Sequence, residues 1–342
     1  MKKNSKLYVL FIVCGSLIVF LAGCGEKSSD SVVKSIEKTL DELDGYKVAA
    51  EMTMNTGNEA RDYLVDIWYK KEEDDYYRVG LESEGDEESG QVILKNKEGV
   101  FVLTPSLNKS FKFQSDWPSN GSQPYLYQSL VHDVISDKEA TFSETDNHYV
   151  FETKTNYQNN ANLPYQEVFF DKKTYAPMAV KVLDKDKNVL VDVTFTHLDV
   201  DPTFTKADFD RETILEDALA DESVSNEEAP KDLAVMFPLE TLGAELVEKE
   251  EVPLEDGERV IMTFKGERNF TLIQEQQTTQ PTSQAVEEVQ GDVVNIGSQF
   301  GALSENGLEW SENGVDYYLA SEDMTVEELI EVATTMEGTE AK

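Results

Sequence analysis

Tyr46-Lys-Val-Ala-Ala-Glu-Met-Thr-Met54 sets Tyr46, Val48, Ala50, Met52 and Met54 on alternate positions. Successive side chains of a β-strand point to opposite faces, so a period of two over this length describes a strand with one face in a core. The same period returns at Tyr63, Val65, Ile67 and Tyr69, and again at Tyr77, Val79 and Leu81. These segments read as half-buried antiparallel strands joined by polar turns. Further strand-like runs cover residues 91–94, 100–103, 110–113, 140–143, 148–155, 166–171, 178–183 and 189–197, with turn-like breaks at 96–99, 145–147 and 184–188. Two helices interrupt the series. Val33, Ile36, Leu40 and Leu43 fall at helical spacing before Gly45, and Tyr125, Leu126, Leu130, Val134 and Ile135 lie along one side of the other.

A long meander with two helices must bury one sheet face. Either the sheet closes into a barrel, or it curls and a helix fills its concave side, which leaves an apolar cleft between the two. Trp68, Tyr76, Tyr77, Phe101, Phe111, Phe113, Trp117, Phe169 and Phe170 supply ample surface to line such a cavity.

Upstream of the meander the chain changes character. Lys2, Lys3 and Lys6 precede an apolar run over residues 7–21, which is shorter than the ~20 residues that span a bilayer and has the layout of a secretory signal. The run closes on Leu21-Ala22-Gly23-Cys24, which resembles the lipobox of bacterial lipoproteins; the alternative is a plain secreted or uncleaved segment. The lipobox resemblance implies a signal peptide over residues 1–23, a diacylglyceryl group on Cys24, a lipidated tether over 24–30, and a location on the extracytoplasmic face of the cell membrane. Cys14 would leave with the signal and Cys24 would carry lipid, so disulfides, thiolate metal sites and cysteine nucleophiles are excluded. Removing residues 1–23 takes away three lysines and no acid, moving the formal charge from −38 to −41. So negative a surface repels nucleic acid, which is not an expected partner.

The remaining length, about 320 residues, exceeds what one hydrophobic core usually supports. Residues 216–230 hold six acids and no base and read as an acidic linker. It separates a first domain over 31–215 from a small α+β domain over 231–338, whose strands at 260–264, 270–273 and 291–296 surround a Gln/Thr-rich loop at 274–290. A hairpin follows over 308–319 with Asn313-Gly314 at its turn, and Thr325 to Glu328 form a capping box ahead of a helix with Val326, Leu329, Ile330, Ala333 and Met336 on its apolar side. Such a tail is expected to fold apart from the first domain and to act as an interaction module.

Motifs for chemistry are absent. No nucleophile elbow, zinc-binding helix, phosphate loop or dinucleotide fingerprint occurs, and His132, His148 and His197 lack partners at ligand spacing. The acidic runs 72–75 and 84–88 read as solvated turns. The expectation is a non-enzymatic protein with no cofactor and no metal.

Trp68-Tyr69-Lys70, Tyr77-Arg78-Val79, Ile93-Leu94, the run Gly-Val-Phe-Val-Leu-Thr-Pro at 99–105 and Asn108-Lys109 resemble the LolA/LolB-like superfamily of envelope proteins over residues 31–210. That resemblance implies an α+β fold in which an incomplete antiparallel β-barrel, capped by helices, encloses an apolar cavity for acyl chains. It marks Arg78 as the counterpart of a cavity-gating arginine, and Trp68 joins it as an expected cavity residue. Together with the lipobox and the tail, the chain is similar to the YdcC-type sporulation lipoproteins of endospore-forming Gram-positive bacteria. The implied role is to bind an acyl chain, a lipoprotein or an apolar peptide in sporulation or envelope assembly. The alternative is a regulatory or scaffolding envelope protein, such as a sensor or a cortex or germination partner, with no lipid ligand.

Overall fold

The computed structural model describes residues 27–337 apart from 56–59, 84–85, 120, 158–161, 221–232, 255–256, 277–285, 290, 297–298, 305 and 313. The signal peptide, Cys24 and the start of the tether lie outside the described residues. Helix α1 (Ser29–Asp41) begins where Ser28 Oγ accepts from the Ser31 amide at 3.4 Å, and Asp30 complements the positive end of its dipole. It buries Val32, Ile36 and, beyond its end, Leu43. Strands β1 (Gly45–Met54), β2 (Arg61–Lys70), β3 (Tyr76–Ser83), β4 (Asp86–Asn96), β5 (Gly99–Thr104) and β6 (Lys109–Phe113) follow as an antiparallel meander. After α2 (Tyr127–Ser136) come β7 (Thr141–Glu144), β8 (His148–Lys154), β9 (Tyr165–Asp171), β10 (Pro177–Leu183) and β11 (Val189–Val200), and β11 pairs back onto β1.

All the strands of the opening alternation behave as the period requires. Tyr46, Val48, Ala50, Met52 and Met54 are buried on one face, and Tyr63, Val65, Ile67 and Tyr69 stand beside them in register. Helices α1 and α2 cover this face through Val32, Ile36, Leu130 and Val134. The opposite face of β2 to β5 is covered too, which the sequence reading did not anticipate. A further helix, α3 (Arg211–Ala220), and the turn before it bring Phe204, Phe209, Ile214 and Leu215 onto Leu94, Phe101 and Leu103. Burial on both sides explains why β5 is apolar at every central position, Val100, Phe101, Val102 and Leu103, where a one-sided strand would alternate. Helix α3 also occupies 216–220, the first part of the expected acidic linker; 221–230 lie outside the described residues.

The tail builds a second antiparallel sheet. Its strands are β13 (Ala244–Leu254), β14 (Gly257–Gly266), β15 (Phe270–Gln276), β17 (Asp292–Ile296), β18 (Gln299–Leu303), β19 (Gly307–Glu312) and β20 (Val315–Ala320), in the order β13-β14-β15-β20-β19-β18-β17. Helix α4 (Val326–Thr334) starts at the expected capping box and lays Leu329, Ile330, Val332 and Ala333 into this sheet's own core. It stops at Thr334, so Met336 belongs instead to β21 (Met336–Glu337), which pairs with β12 (Phe237–Pro238).

The tail does not stand off from the first sheet. Four residues within the Gln/Thr-rich stretch, β16 (Val286–Val289), pair in parallel with β6 and complete a twelve-stranded open sheet whose edges are β16 and β7. Val293, Phe300 and Ala302 join the core under α1 and α2. Gln91, 3% exposed, ties the halves together: its Oε1 accepts from the Phe300 amide at 2.9 Å and its Nε2 donates to the Ser311 carbonyl at 3.3 Å. Arg61 donates to the Met336 carbonyl at 3.2 Å and Lys109 pairs with Asp316 at 3.3 Å.

Candidate functional site

Where the two halves meet, the structure forms a partly open cavity of about 400 Å³. Its floor is the far end of the opening stripe, Met52 and Met54 of β1, with Val182 of β10 and Val191 of β11 beside them. Methionine suits such a wall, because its unbranched, polarisable side chain adapts to varied apolar shapes. The 121–124 segment, Tyr157 and Leu163 form one side. The tail supplies the other, with Val293, Val294 and Asn295 of β17, Ile330, Glu331 and Thr334 of α4, and Thr335 just past its end. Asp184, Glu240 and Glu331 stand in the lining, which holds no basic side chain among the described residues.

Polar groups lie behind the apolar wall. The Tyr157 hydroxyl is buried without a hydrogen-bond partner among the described residues, and burial pushes its pKa well above the usual phenol range. Asp133 of α2, 6% exposed, accepts from Gln166 Nε2 at 2.8 Å. Burial raises the Asp133 carboxyl above the ordinary aspartate range, with the Ser122 and Gln166 hydrogen bonds opposing the rise. The folded chain therefore holds this proton more tightly than the unfolded chain does. Its contribution is fully present below the unfolded carboxyl pKa, about 3.9, and is lost as pH rises through the higher folded value. Asp133→Asn keeps an acceptor for Gln166 and removes the charge. It should raise the melting temperature at pH 7 and leave it nearly unchanged at pH 3; a lower melting temperature at pH 7 would show that the ionised carboxylate is needed.

Trp68 and Arg78 line neither this cavity nor the face under α1 and α2. They are cross-strand neighbours on the opposite face of β2 and β3. The Arg78 guanidinium lies 4.5 Å from the Trp68 ring centroid, and Lys47 approaches the same ring at 3.6 Å. Arg78 Nη1 donates to the Asp208 carbonyl at 3.4 Å, and Phe204 packs on Trp68 with centroids 6.1 Å apart. This is a packed cation–π stack that seats the 204–215 segment. The physical reason is the period of two: residues next to the buried Ile67 and Tyr69, or to Tyr77 and Val79, must face the other way. The helix-covered face is itself filled by Tyr46, Tyr69, Tyr77, Trp117 and Tyr127, which leaves the cavity only at its end. Met52 and Met54 were legible as buried positions; their role in a cavity wall depends on the distant tail.

Among the described residues no helix is long and apolar enough to cross a membrane, and no group of three or more His, Cys, Asp or Glu side chains is placed to hold a metal ion.

Comparison with known proteins bears on the whole chain. Two solved structures show distant likeness: the MucA/MucB complex of Pseudomonas aeruginosa, at 11% identity and a TM-score of 0.32 over 90% of this chain and 99% of that one, and a putative outer membrane lipoprotein-sorting protein domain from Vibrio parahaemolyticus, at 13% identity and 0.33 over 55% and 100%. The sporulation protein YdcC of Bacillus subtilis (strain 168) is 45% identical over 344 residues, all of both chains. The model of YdcC-like sporulation proteins matches residues 2–209, and with that match and an end-to-end relative the chain belongs to the YdcC-like sporulation protein family.

Proposed function

We propose that the protein is a non-enzymatic binding protein, anchored through lipid on Cys24 to the extracytoplasmic face of the cell membrane, that receives an acyl chain or apolar peptide segment during sporulation or envelope assembly. The cavity between the two halves carries this reading. Its volume of about 400 Å³ falls in the range of small-ligand sites, and its lining includes the aliphatic and methionine side chains Met52, Met54, Val182, Val191 and Ile330. Family membership supports the sporulation setting, and the lipobox at residues 21–24 supports the anchor. Asp184, Glu240 and Glu331, with no base in the lining among the described residues, disfavour an anionic head group. An acyl chain in ester or amide linkage, or an apolar peptide, fits better than a free fatty acid.

Val191, 5% exposed in the cavity wall, is the position to fill. The chain from residue 25 onward should bind a fluorescent acyl ester saturably, and more tightly than the matching fatty acid. Val191→Trp should weaken ester binding at least about tenfold, which is about 1.4 kcal/mol. Unchanged affinity in a variant with native circular dichroism would remove the cavity as the site.

A second reading, a regulatory or scaffolding role without a lipid ligand, draws on β13. This strand of eleven residues forms an edge of the second sheet, and Val247 on it is 54% exposed. An uncovered edge is where an extended peptide from a partner can add a strand.

A further inference from the structure

Helix α1 begins within reach of Cys24, and what it touches there fixes which end of the molecule lies nearest the anchor. Lys27, at its start, donates to the Tyr175 hydroxyl and lies 5.0 Å from that ring's centroid. Tyr175 in turn stacks on Tyr149 at 6.0 Å and 12°, and Lys172 reaches the Tyr149 ring at 5.3 Å. Only Gly25 and Glu26 separate Cys24 from Lys27. Three residue steps, fully extended, span at most about 11 Å. The Cα of Cys24 therefore lies within about 11 Å of the Cα of Lys27, whose side chain meets the turn between β9 and β10.

We infer that the pole formed by this turn and the start of β10 is the surface that rests on the anchoring bilayer, and that the cavity is thereby held on the side away from it. The inference rests on the lipid anchor proposed above. The pole's composition agrees with a place at the head groups. Met178, 36% exposed, projects where the pairing of β9 and β10 shifts by one residue, and Lys173 is exposed beside it. The ring of Tyr175 and the two lysines that flank it are the side chains that favour the polar edge of a membrane. Two acids of this end have partners: Asp171 accepts from the amides of Lys173 and Thr174 at 2.9 and 2.7 Å, and Glu144 pairs with Lys172 at 2.6 Å, while Asp30 and Asp146 are exposed. On a processed chain of formal charge −41, Lys27, Lys172 and Lys173 offset the acids of this pole, so it meets anionic head groups with less repulsion than the acidic remainder of the surface would feel.

Strand β10 connects this pole to the cavity. It starts at Pro177 beside Tyr175 and ends at Leu183, just before Asp184 in the cavity lining. Six residue steps of a strand advance about 20 Å. The cavity lining thus begins about 20 Å along β10 from this pole, and a ligand reaches it from outside the cell membrane and not by lateral transfer out of the anchoring leaflet.

The test uses the lipidated chain in vesicles of phosphatidylethanolamine and phosphatidylglycerol that carry spin-labelled lipid as a quencher. Processing removes Cys14 and acylates Cys24, so a cysteine introduced at Lys173, Met178 or, on the turn at the far end of β10, Asp186 is the single thiol available for a fluorescent label. Labels on Lys173→Cys and Met178→Cys should lose most of their emission, and a label on Asp186→Cys should keep its own. Equal quenching at all three positions, stronger quenching at Asp186, or none at any position while the chain sediments with the vesicles would overturn the orientation. Cys24→Ala separates the underlying reading. If that variant still sediments and takes up labelled palmitate, the anchor is not Cys24, and the orientation falls with it.

Discussion

Trp117→Ala should lower the unfolding free energy by about 3–5 kcal/mol, the range for deleting a large buried aromatic. The indole is 1% exposed and meets Tyr77 edge-on, with centroids 5.7 Å apart at 79°. Tyr77 lies 5.1 Å from Tyr69, Tyr69 lies 5.2 Å from Tyr46, and Tyr46 lies 6.3 Å from Tyr127 of α2. Trp117 is therefore the end of a row of rings that crosses β3, β2 and β1 and fills the face under the helices. Such rings are stiff and interlocked, so the space left by the indole cannot be closed by small adjustments. Each ring contact adds about 0.5–1.5 kcal/mol beyond the area it buries. The Tyr46 hydroxyl, donating to Gln128 Oε1 at 2.6 Å, fixes the other end of the row to α2. Urea unfolding followed by far-ultraviolet circular dichroism measures the effect; a loss below about 1 kcal/mol would mean that the row relaxes as independent pieces.

The same face shows what could be read from the chain and what could not. Alternation placed Tyr46 to Met54, Tyr63 to Tyr69 and Tyr77 to Leu81 because these strands have one side in a core and obey a local period. Helix α3 escaped notice because Ile214 and Leu215 are adjacent and flanked by acids, so no stripe at helical spacing forms. Its cover explains Trp68 and Arg78: the resemblance implies a cavity role for Arg78 with Trp68 beside it, whereas both side chains pack on the second face under the 204–215 segment. Strand β13 was missed for a different reason. It is an exposed edge strand of sequence Ala-Glu-Leu-Val-Glu-Lys-Glu-Glu-Val-Pro-Leu, whose charges protect a free edge and erase the apolar signal. Strand β16 carries almost no local signal, since Val286-Glu-Glu-Val289 gains its conformation from β6, more than 170 positions earlier in the chain. The cavity follows the same rule. Met52 and Ile330 read as core residues and Val191 as part of a strand, and only the docking of the tail puts them around one space.

Gly291→Ala should destabilise the chain by more than the about 1–3 kcal/mol that its backbone conformation alone sets. Gly291 has φ +151° and stands between β16 and β17, where the chain leaves the first sheet and enters the second. A Cβ there would fall 2.3 Å from the Leu303 carbonyl oxygen and 2.8 Å from its carbon. Neither atom can yield easily, because Leu303 is paired with Asp292 in the ladder of β17 and β18. The strand pair must shift, and with it Val293, which belongs to the core under α1 and α2, and Val294 and Asn295 in the cavity wall. Gly314→Ala is the matched control: it has φ +74° with nothing within 4 Å of its Cβ, so it carries backbone strain without the collision. Hydrogen exchange gives a readout that separates a local defect from a lost connection. In Gly291→Ala the amides of Lys109 to Phe113 should exchange faster as β16 leaves their edge, and acyl ester binding should weaken in parallel; in Gly314→Ala both should match the parent chain. Faster global unfolding with unchanged protection along β6 would mean that β16 holds its place without the turn at Gly291, and that the two halves are joined through Gln91 and the shared core instead.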